Sequence, residues 1–339
     1  MTSTKSFKSL SLLISIVIVF LLPLIVQNDY WIHVLILIAV MILATASMRA
    51  INRTGEMSIG TAGFLLLGAY ASAILTKKLG LSFWITMPVG GLFAAFIALL
   101  VAYPFFRVKG VYFAISTLLL STVFQYITGY LKGLTGGWDG LRFIPSPNPI
   151  TIPGLATLRF DTDISYYYLA IIVVAIGLFV LYRMEHSRIG LVWGSIKEAD
   201  TLAQSIGINI MAHKIFVFVV ACFFTGISGA LYAFYQQALS PATNPGNIFS
   251  VATSVYCILY MVVGGEGSFY GPLIGTTLFM LIPEFSRPLH MYRPLVYGTM
   301  LILIVFFMPK GLIGLRSYLR IWYGKLLGRP KEKVSPRQG

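Results

Sequence analysis

Apolar residues run through this chain in blocks of about twenty, separated by short clusters of glycine, proline and charge. A helix that crosses the hydrocarbon core of a bilayer needs roughly 20 mostly apolar residues. Segments 10–27, 30–48, 58–76, 82–104, 111–130, 165–182, 214–236, 248–263, 268–284 and 293–308 meet that pattern, some of them short. The pattern predicts an all-α polytopic membrane protein with about ten transmembrane helices. The segments around Gly60 and Gly271 fit least well, because glycine is a poor helix former. Lys5 and Lys8 before the apolar run Leu10 to Val26 look like the start of a signal peptide. The residues that follow, "QNDYW", offer no small-x-small cleavage site, so the run is read as a retained first span.

Composition agrees. Of 339 residues 57% are hydrophobic and 11% charged, with a mean hydropathy of +0.83, against about 25% charged in soluble domains. A net charge of +14 raises nucleic acid as a partner, but the placement of the charges turns that reading toward the membrane. With Lys5 and Lys8 inside and the spans alternating, 18 of the 25 Lys and Arg residues fall in inside loops and 7 outside. That is the positive-inside bias, and it predicts both termini inside. Dropping one span would invert every later loop, so the bias also favours an even count. Cys222 and Cys257 sit in apolar runs and make no disulfide framework.

The connecting segments divide the chain into a transmembrane body, 1–309, and a basic tail, 310–339. In the tail Leu315, Tyr318, Leu319, Trp322 and Leu326 recur at helical spacing beside Arg316, Arg320 and Lys325. This predicts an interfacial helix drawn to anionic membrane lipid. The outer loop 131–164 holds Pro145, Pro147, Pro149 and Pro153 and reads as stiff and irregular. Its "GGWDG", with Trp138 and Asp139, is where an extracytoplasmic partner is expected. The inner loop 183–213 contains "SIKEADTLAQSIG", read as one short helix with Ser195 as N-cap, Glu198 three positions on and Gly207 as the stop.

Several chemistries lack their residues. There is no G-x-x-x-x-G-K-[ST] phosphate loop, no metal-ligand spacing and no paired catalytic set, so no cofactor, metal or enzymatic role is expected of the chain itself. His33 reads as the most deeply embedded ionisable side chain, with Glu56, Glu266 and Glu284 at span edges. Ion-driven transport and charged-ring channels place such groups within the membrane, so both are disfavoured.

Glycine carries the remaining signal. In "GGEGSFYGPLIGTT", Gly267, Gly271 and Gly275 recur every four residues, which would stack them on one helix face against a neighbouring span around Gly63 or Gly226. Pro272 suggests a broken helix there, and Gly264 and Gly265 are expected at the solute pathway. A second stretch, "GEMSIGTAGFLLLGAY", presents Ser58, Gly60 and Gly63. Both stretches open with Gly-Glu-x-Ser at a predicted cytoplasmic edge, as an internal duplication would leave them.

Together "GEMSIGTAGFLLLGAY", "RVKGVYFAISTLLLSTVF", "LTGGWDGL", "SRIGLVWGSIKEADTLAQSIGINIMAHKIFVFVVACFFTGISGALYA", "VVGGEGSFYGPLIGTTLF" and "FMPKGLIGL" occur in an order that resembles the LivM-type permeases of branched-chain amino acid ABC importers. The likeness runs from about Arg49 to Leu315. It implies an inner-membrane permease subunit paired with a LivH-like second permease, two LivG/LivF-like ATPases that hold the ATP and Mg, and a periplasmic substrate-binding protein. It also implies that Glu198, Ala199, Ala203 and Gly207, with Arg188 and Gly190 just before them, meet the ATPase. Thr61-Ala62 and Val111 depart from residues usual in the family. Relatives of this architecture look like importers of urea or short amides, and the broader superfamily takes sugars. A stand-alone channel is the rival reading, separated from an ATP-driven importer by whether uptake needs an ATPase.

Overall fold

The computed structural model describes residues 28–152, 156–242 and 247–285, together with positions 20, 22, 23, 295, 298, 299, 302, 311 and 312. Among the described residues six helices are long and apolar enough to cross a membrane. They are α1 (Asp29–Asn52), α2 (Thr61–Leu79), α3 (Phe83–Phe105), α4 (Val111–Tyr130), α6 (Asp163–Glu185) and α9 (Ile210–Gln236). Between them lie the short helices α5 (Lys132–Thr135), α7 (Arg188–Glu198) and α8 (Asp200–Ser205), and after them α10 (Val251–Gly264) and α11 (Gly271–Phe285). The predicted spans 10–27 and 293–308 and the amphipathic tail lie mostly or wholly outside the described residues.

Six predicted spans therefore appear as full-length helices. The segment 248–263 appears as a helix of 14 residues, about 21 Å at 1.5 Å per residue, which is less than the ~30 Å hydrocarbon core. The segment 268–284 starts later than predicted, at Gly271, because residues 265–270 form the turn between α10 and α11. Pro272 sits second in α11, where its missing N–H breaks no helical bond, so the expected break in the helix is not there. Helix α1 instead runs past its predicted end at residue 48 and carries Arg49 and Asn52 on its last turn.

Helix α9 lies at the centre, packed against α1, α2 and α3. Lipid offers little hydrophobic gain to helices that associate, so close backbone approach has to supply the contact energy. The sequence provides for it with small residues. A Cβ on Gly226 of α9 would stand 3.0 Å from Gly91 Cα and 2.8 Å from Ala94 Cβ of α3, and one on Gly68 of α2 would collide with the Gly226 backbone. On the far sides of α3, α4 and α6, Leu92, Phe96, Leu119, Val123, Ile176 and Phe179 point outward and exposed, as lipid-facing positions must.

The outer loop is more ordered than its prolines suggest. Strand β1 (Leu141–Arg142) pairs antiparallel with β4 (Ala238–Leu239), and β2 (Ile150–Ile152) pairs antiparallel with β3 (Ala156–Leu158). The irregular reading holds over 143–149, where Pro145, Pro147 and Pro149 lie, and fails at β1, which finds its partner in the connection after α9, far away in sequence. The Trp138 ring lies over Gly129, whose Cβ, if present, would be 2.5 Å from the indole. Tyr126 and Tyr130 meet the same indole at 5.7 and 6.2 Å. Lys77 and Lys78 reach the carbonyls of Arg142 and Gly133, each at 2.6 Å, so the end of α2 belongs to this same end of the molecule. The loops after α1, α3, α6 and α10 meet at the opposite end.

Candidate functional site

That opposite end carries a platform made of α7 and α8. The segment read as one helix capped by Ser195 is two helices. Ser187 is the N-cap of α7, its Oγ accepting from the Ile189 amide at 3.2 Å. Ser195 lies inside α7 and donates to the Val192 carbonyl at 2.8 Å. The chain breaks at Ala199, which is extended (φ −156°, ψ 95°), and Glu198 closes α7. Gly207 has φ +87°, and its amide donates to the Gln204 carbonyl at 3.0 Å, so it ends α8 as its type predicts.

Of the residues singled out in this loop, Arg188 and Glu198 are exposed, while Gly190 lies against the Glu185 backbone and Ala203 is buried. Trp193 and Ile196 anchor α7 inward. On the other side Leu191, Leu202 and Ile206 stand 76%, 67% and 72% exposed. Exposed large aliphatic side chains on two short helices make α7 and α8 a candidate interaction surface.

Beneath the platform are two ion-pair networks. In the first, Arg49, 2% exposed, holds Glu185 through both terminal nitrogens at 2.5 and 2.9 Å, with Arg53 at 3.4 Å from the same carboxylate. The Arg49 Nε–H donates to the Glu266 carbonyl at 3.1 Å, and its guanidinium lies 5.7 Å from the centre of the Phe269 ring. Glu266 also accepts from Asn52 at 3.2 Å and from Lys197 of α7 at 3.0 Å. In the second network Lys214 of α9 pairs with Glu56 at 2.9 Å, both side chains buried, and reaches Asp200 of α8 at 3.5 Å. Lys109 pairs with Asp200 at 2.9 Å, and the Gly110 amide donates to Glu56 at 3.1 Å. Burial works to raise the Asp200 carboxyl, but Lys109 and Lys214 outweigh it and hold it below the usual carboxylate value. Glu266 is held low in the same way, its burial overcome by Lys197, Asn52 and Arg49.

The sequence reading missed these networks. In the sequence Arg49, Lys109, Lys197 and Lys214 count among the inside-loop charges, and His33 reads as the most embedded ionisable group. Arg49, Glu56 and Lys214 are all buried more completely than His33. The signal that was present is the pair of glutamates in the Gly-Glu-x-Ser stretches.

The glycine positions fall into separate contacts. Gly271 and Gly275 begin α11 and cross α10: a Cβ on them would lie 2.9 Å from the Gly265 carbonyl carbon and the Gly264 nitrogen. Their neighbour is thus the preceding helix and not the spans of Gly63 or Gly226. Gly267 is in the turn, off the helix face, with nothing within 4 Å of its would-be Cβ. Gly63 packs on α4, where its Cβ would be 2.7 Å from Ser121 Cα, and Gly60 faces Thr117. Ser58 accepts from the Gly60 amide at 3.2 Å, and Ser254 of α10 accepts from the Ala62 amide at 2.9 Å. Further along this seam of α2, α4 and α10, the Gln125 amide donates to the Phe249 carbonyl. Ser121 Oγ, Gln125 Oε1 and the Tyr70 hydroxyl are buried there with no protein partner.

The profile of the family described as branched-chain amino acid transport system permease component matches residues 10–307. The chain is 28% identical over 296 residues to the high-affinity branched-chain amino acid transport system permease protein LivM of Escherichia coli K12, covering 82% of this chain and 68% of that one. It is also similar, at 24% over 248 residues, to the nucleoside ABC transporter permease protein NupC of Lactococcus lactis subsp. cremoris, covering 69% of this chain and 74% of that one. The probable branched-chain amino acid transport permease protein LivH of Methanocaldococcus jannaschii matches at 23% over 266 residues, covering 74% of this chain and 79% of its own length. No solved structure matches the chain with significance.

Proposed function

This chain belongs to the family of branched-chain amino acid transport system permease components, and from that premise we propose that it moves branched-chain amino acids inward by alternating access, driven by ATPases docked on α7 and α8. It is an ABC permease subunit and a multi-pass protein of the bacterial inner membrane. The wider reading is a small polar solute, with urea or a short amide as one alternative. The likeness to NupC supports a nucleoside as another. In this reading the chain has about ten spans with both termini cytoplasmic, ATP and Mg reside on the two LivG/LivF-like subunits, a LivH-like permease completes the membrane unit, and a periplasmic binding protein meets the outer loop around Trp138.

The observation that carries the proposal is the platform itself. It exposes Leu191, Leu202 and Ile206, is pinned by ion pairs to the start of α9 and to the turn between α10 and α11, and lies at the end where the positive-inside bias puts the cytoplasm. The solute is expected to cross beside the α2–α4–α10 seam, where Ser121, Gln125 and Tyr70 offer uncharged polar atoms without protein partners. The test uses Leu202. Leu202→Cys should react with a membrane-impermeant thiol reagent from the cytoplasmic face only. Leu202→Asp should leave membrane insertion at the normal level and lose the co-purifying ATPase at least about tenfold, about 1.4 kcal/mol of interface energy. Labelling from the periplasm, or full ATPase recovery with Leu202→Asp, would contradict the reading.

A further inference from the structure

The tetrapeptide Gly-Glu-x-Ser occurs at Gly55–Ser58 and again at Gly265–Ser268, and the two copies are built alike. Each joins one helix to the next, α1 to α2 and α10 to α11. Each opens on a glycine in the left-handed region, Gly55 at φ +84° and Gly265 at +107°, a conformation that other residues adopt at a cost. Each serine Oγ accepts from the amide two residues on: Ser58 from Gly60 at 3.2 Å and Ser268 from Tyr270 at 3.4 Å. The glutamates correspond as well. One oxygen of Glu56 takes Lys214 and the other the Gly110 amide; one oxygen of Glu266 takes Lys197 and the other the Asn52 side-chain amide.

The lysines come from opposite sides of the break at Ala199. Lys197 is in the last turn of α7, before the break. Lys214 is in the first turns of α9, after it, and shares Asp200 of α8. The Gly55 turn also abuts the backbone of Lys197, whose Cα would be 3.5 Å from an added Cβ, so the two turns flank α7 together. A push on the platform therefore reaches the α10–α11 hairpin directly, through Lys197 and Glu266, and the α1–α2 hairpin by way of Asp200, Lys214 and Glu56.

From this duplication we infer that Glu56 and Glu266 are a matched pair of positioning residues that transmit movement of the α7–α8 platform to the α1–α2 and α10–α11 hairpins. This rests on the reading of the platform as the ATPase dock. Each contact is a charge-assisted hydrogen bond, 2.9 Å from Lys214 to Glu56 and 3.0 Å from Lys197 to Glu266, stronger than a neutral one would be. The Glu266–Lys197 pair is partly exposed, so its loss should not unfold the chain, whereas the Glu56–Lys214 pair is buried.

The experiment is a double-mutant cycle on the complete transporter, purified with its ATPases and binding protein and reconstituted in proteoliposomes, with radiolabelled leucine as probe and a panel of urea, amide and nucleoside probes alongside. Glu266→Gln and Lys197→Met should each lower solute moved per ATP hydrolysed about tenfold, within the usual range of coupling between sites. ATPase recovery and thermal midpoint should remain normal. The double variant should be no worse than either single one, since both remove the same link. Normal transport per ATP in both single variants, or independent multiplying losses in the double, would overturn the inference while leaving the dock intact. A wild-type complex in which no probe's uptake responds to ATP would overturn the dock and the inference together.

Discussion

Gly68→Leu is expected to remove the folded protein almost entirely. At this position α2, α3 and α9 come together with no side chain between their backbones. A Cβ on Gly68 would lie 2.5 Å from the Gly226 carbonyl carbon, and the Gly68 carbonyl oxygen lies 2.7 Å from the would-be Cβ of Gly90 on α3. Overpacking a core usually costs about 1–3 kcal/mol because side chains shift to make room. Here the obstructing atoms are backbone, so the helices themselves must part, and the cost should lie at or above about 3 kcal/mol. The yield of monodisperse protein in detergent and its unfolding midpoint measure this. Gly267→Leu is the control, because nothing lies within 4 Å of that position, and it should behave as wild type. A wild-type midpoint for Gly68→Leu would refute the close crossing.

Arg49→Met should be the most damaging change at the inner end. The guanidinium binds Glu185 at two points, donates to the Glu266 carbonyl and lies against Phe269. Methionine fills much of the same space but leaves Glu185, itself largely buried, with Arg53 alone at 3.4 Å. Breaking a buried pair from one side typically costs about 3–5 kcal/mol, since the remaining charge has lost both water and partner. Thermal unfolding in detergent should show a large drop for Arg49→Met and a partial recovery when Glu185→Gln is added. No recovery in the double variant would mean that Arg49 acts through packing and not through the ion pair.

Both predictions rest on contacts that the chain's linear pattern does not display. The long helices were legible because twenty apolar residues in a row leave few options in water or lipid, and α1 to α4, α6 and α9 followed from that. The end of α1 was not legible. Arg49 and Asn52 look like loop residues, and they stay helical and buried because Glu185 and Glu266, distant in sequence, receive them. Glycine at every fourth position reads as a sign of close packing, which is present at Gly271 and Gly275 and absent at Gly267, and spacing names no partner. Gly226 met Gly68 and Gly91, whereas Gly271 and Gly275 met the helix just before them. The outer loop misled for a similar reason. Its prolines limit local structure, while β1 is made by pairing with β4 across the body of the chain. In the inner loop the break at Ala199 had no strong local signal, and only the lysines on either side of it, drawn to two different turns, give it a role.

The most direct test of the account is uptake into proteoliposomes. The chain should be reconstituted alone, and also with the second permease, ATPases and binding protein that co-purify with it, and supplied with radiolabelled leucine and a panel of urea, amide and nucleoside probes. The account predicts accumulation of at least one probe above its external concentration only in the full assembly, only with the binding protein present and only while ATP is hydrolysed. Equilibration of a probe through the chain alone, unchanged by ATP, would contradict it and identify a facilitator instead.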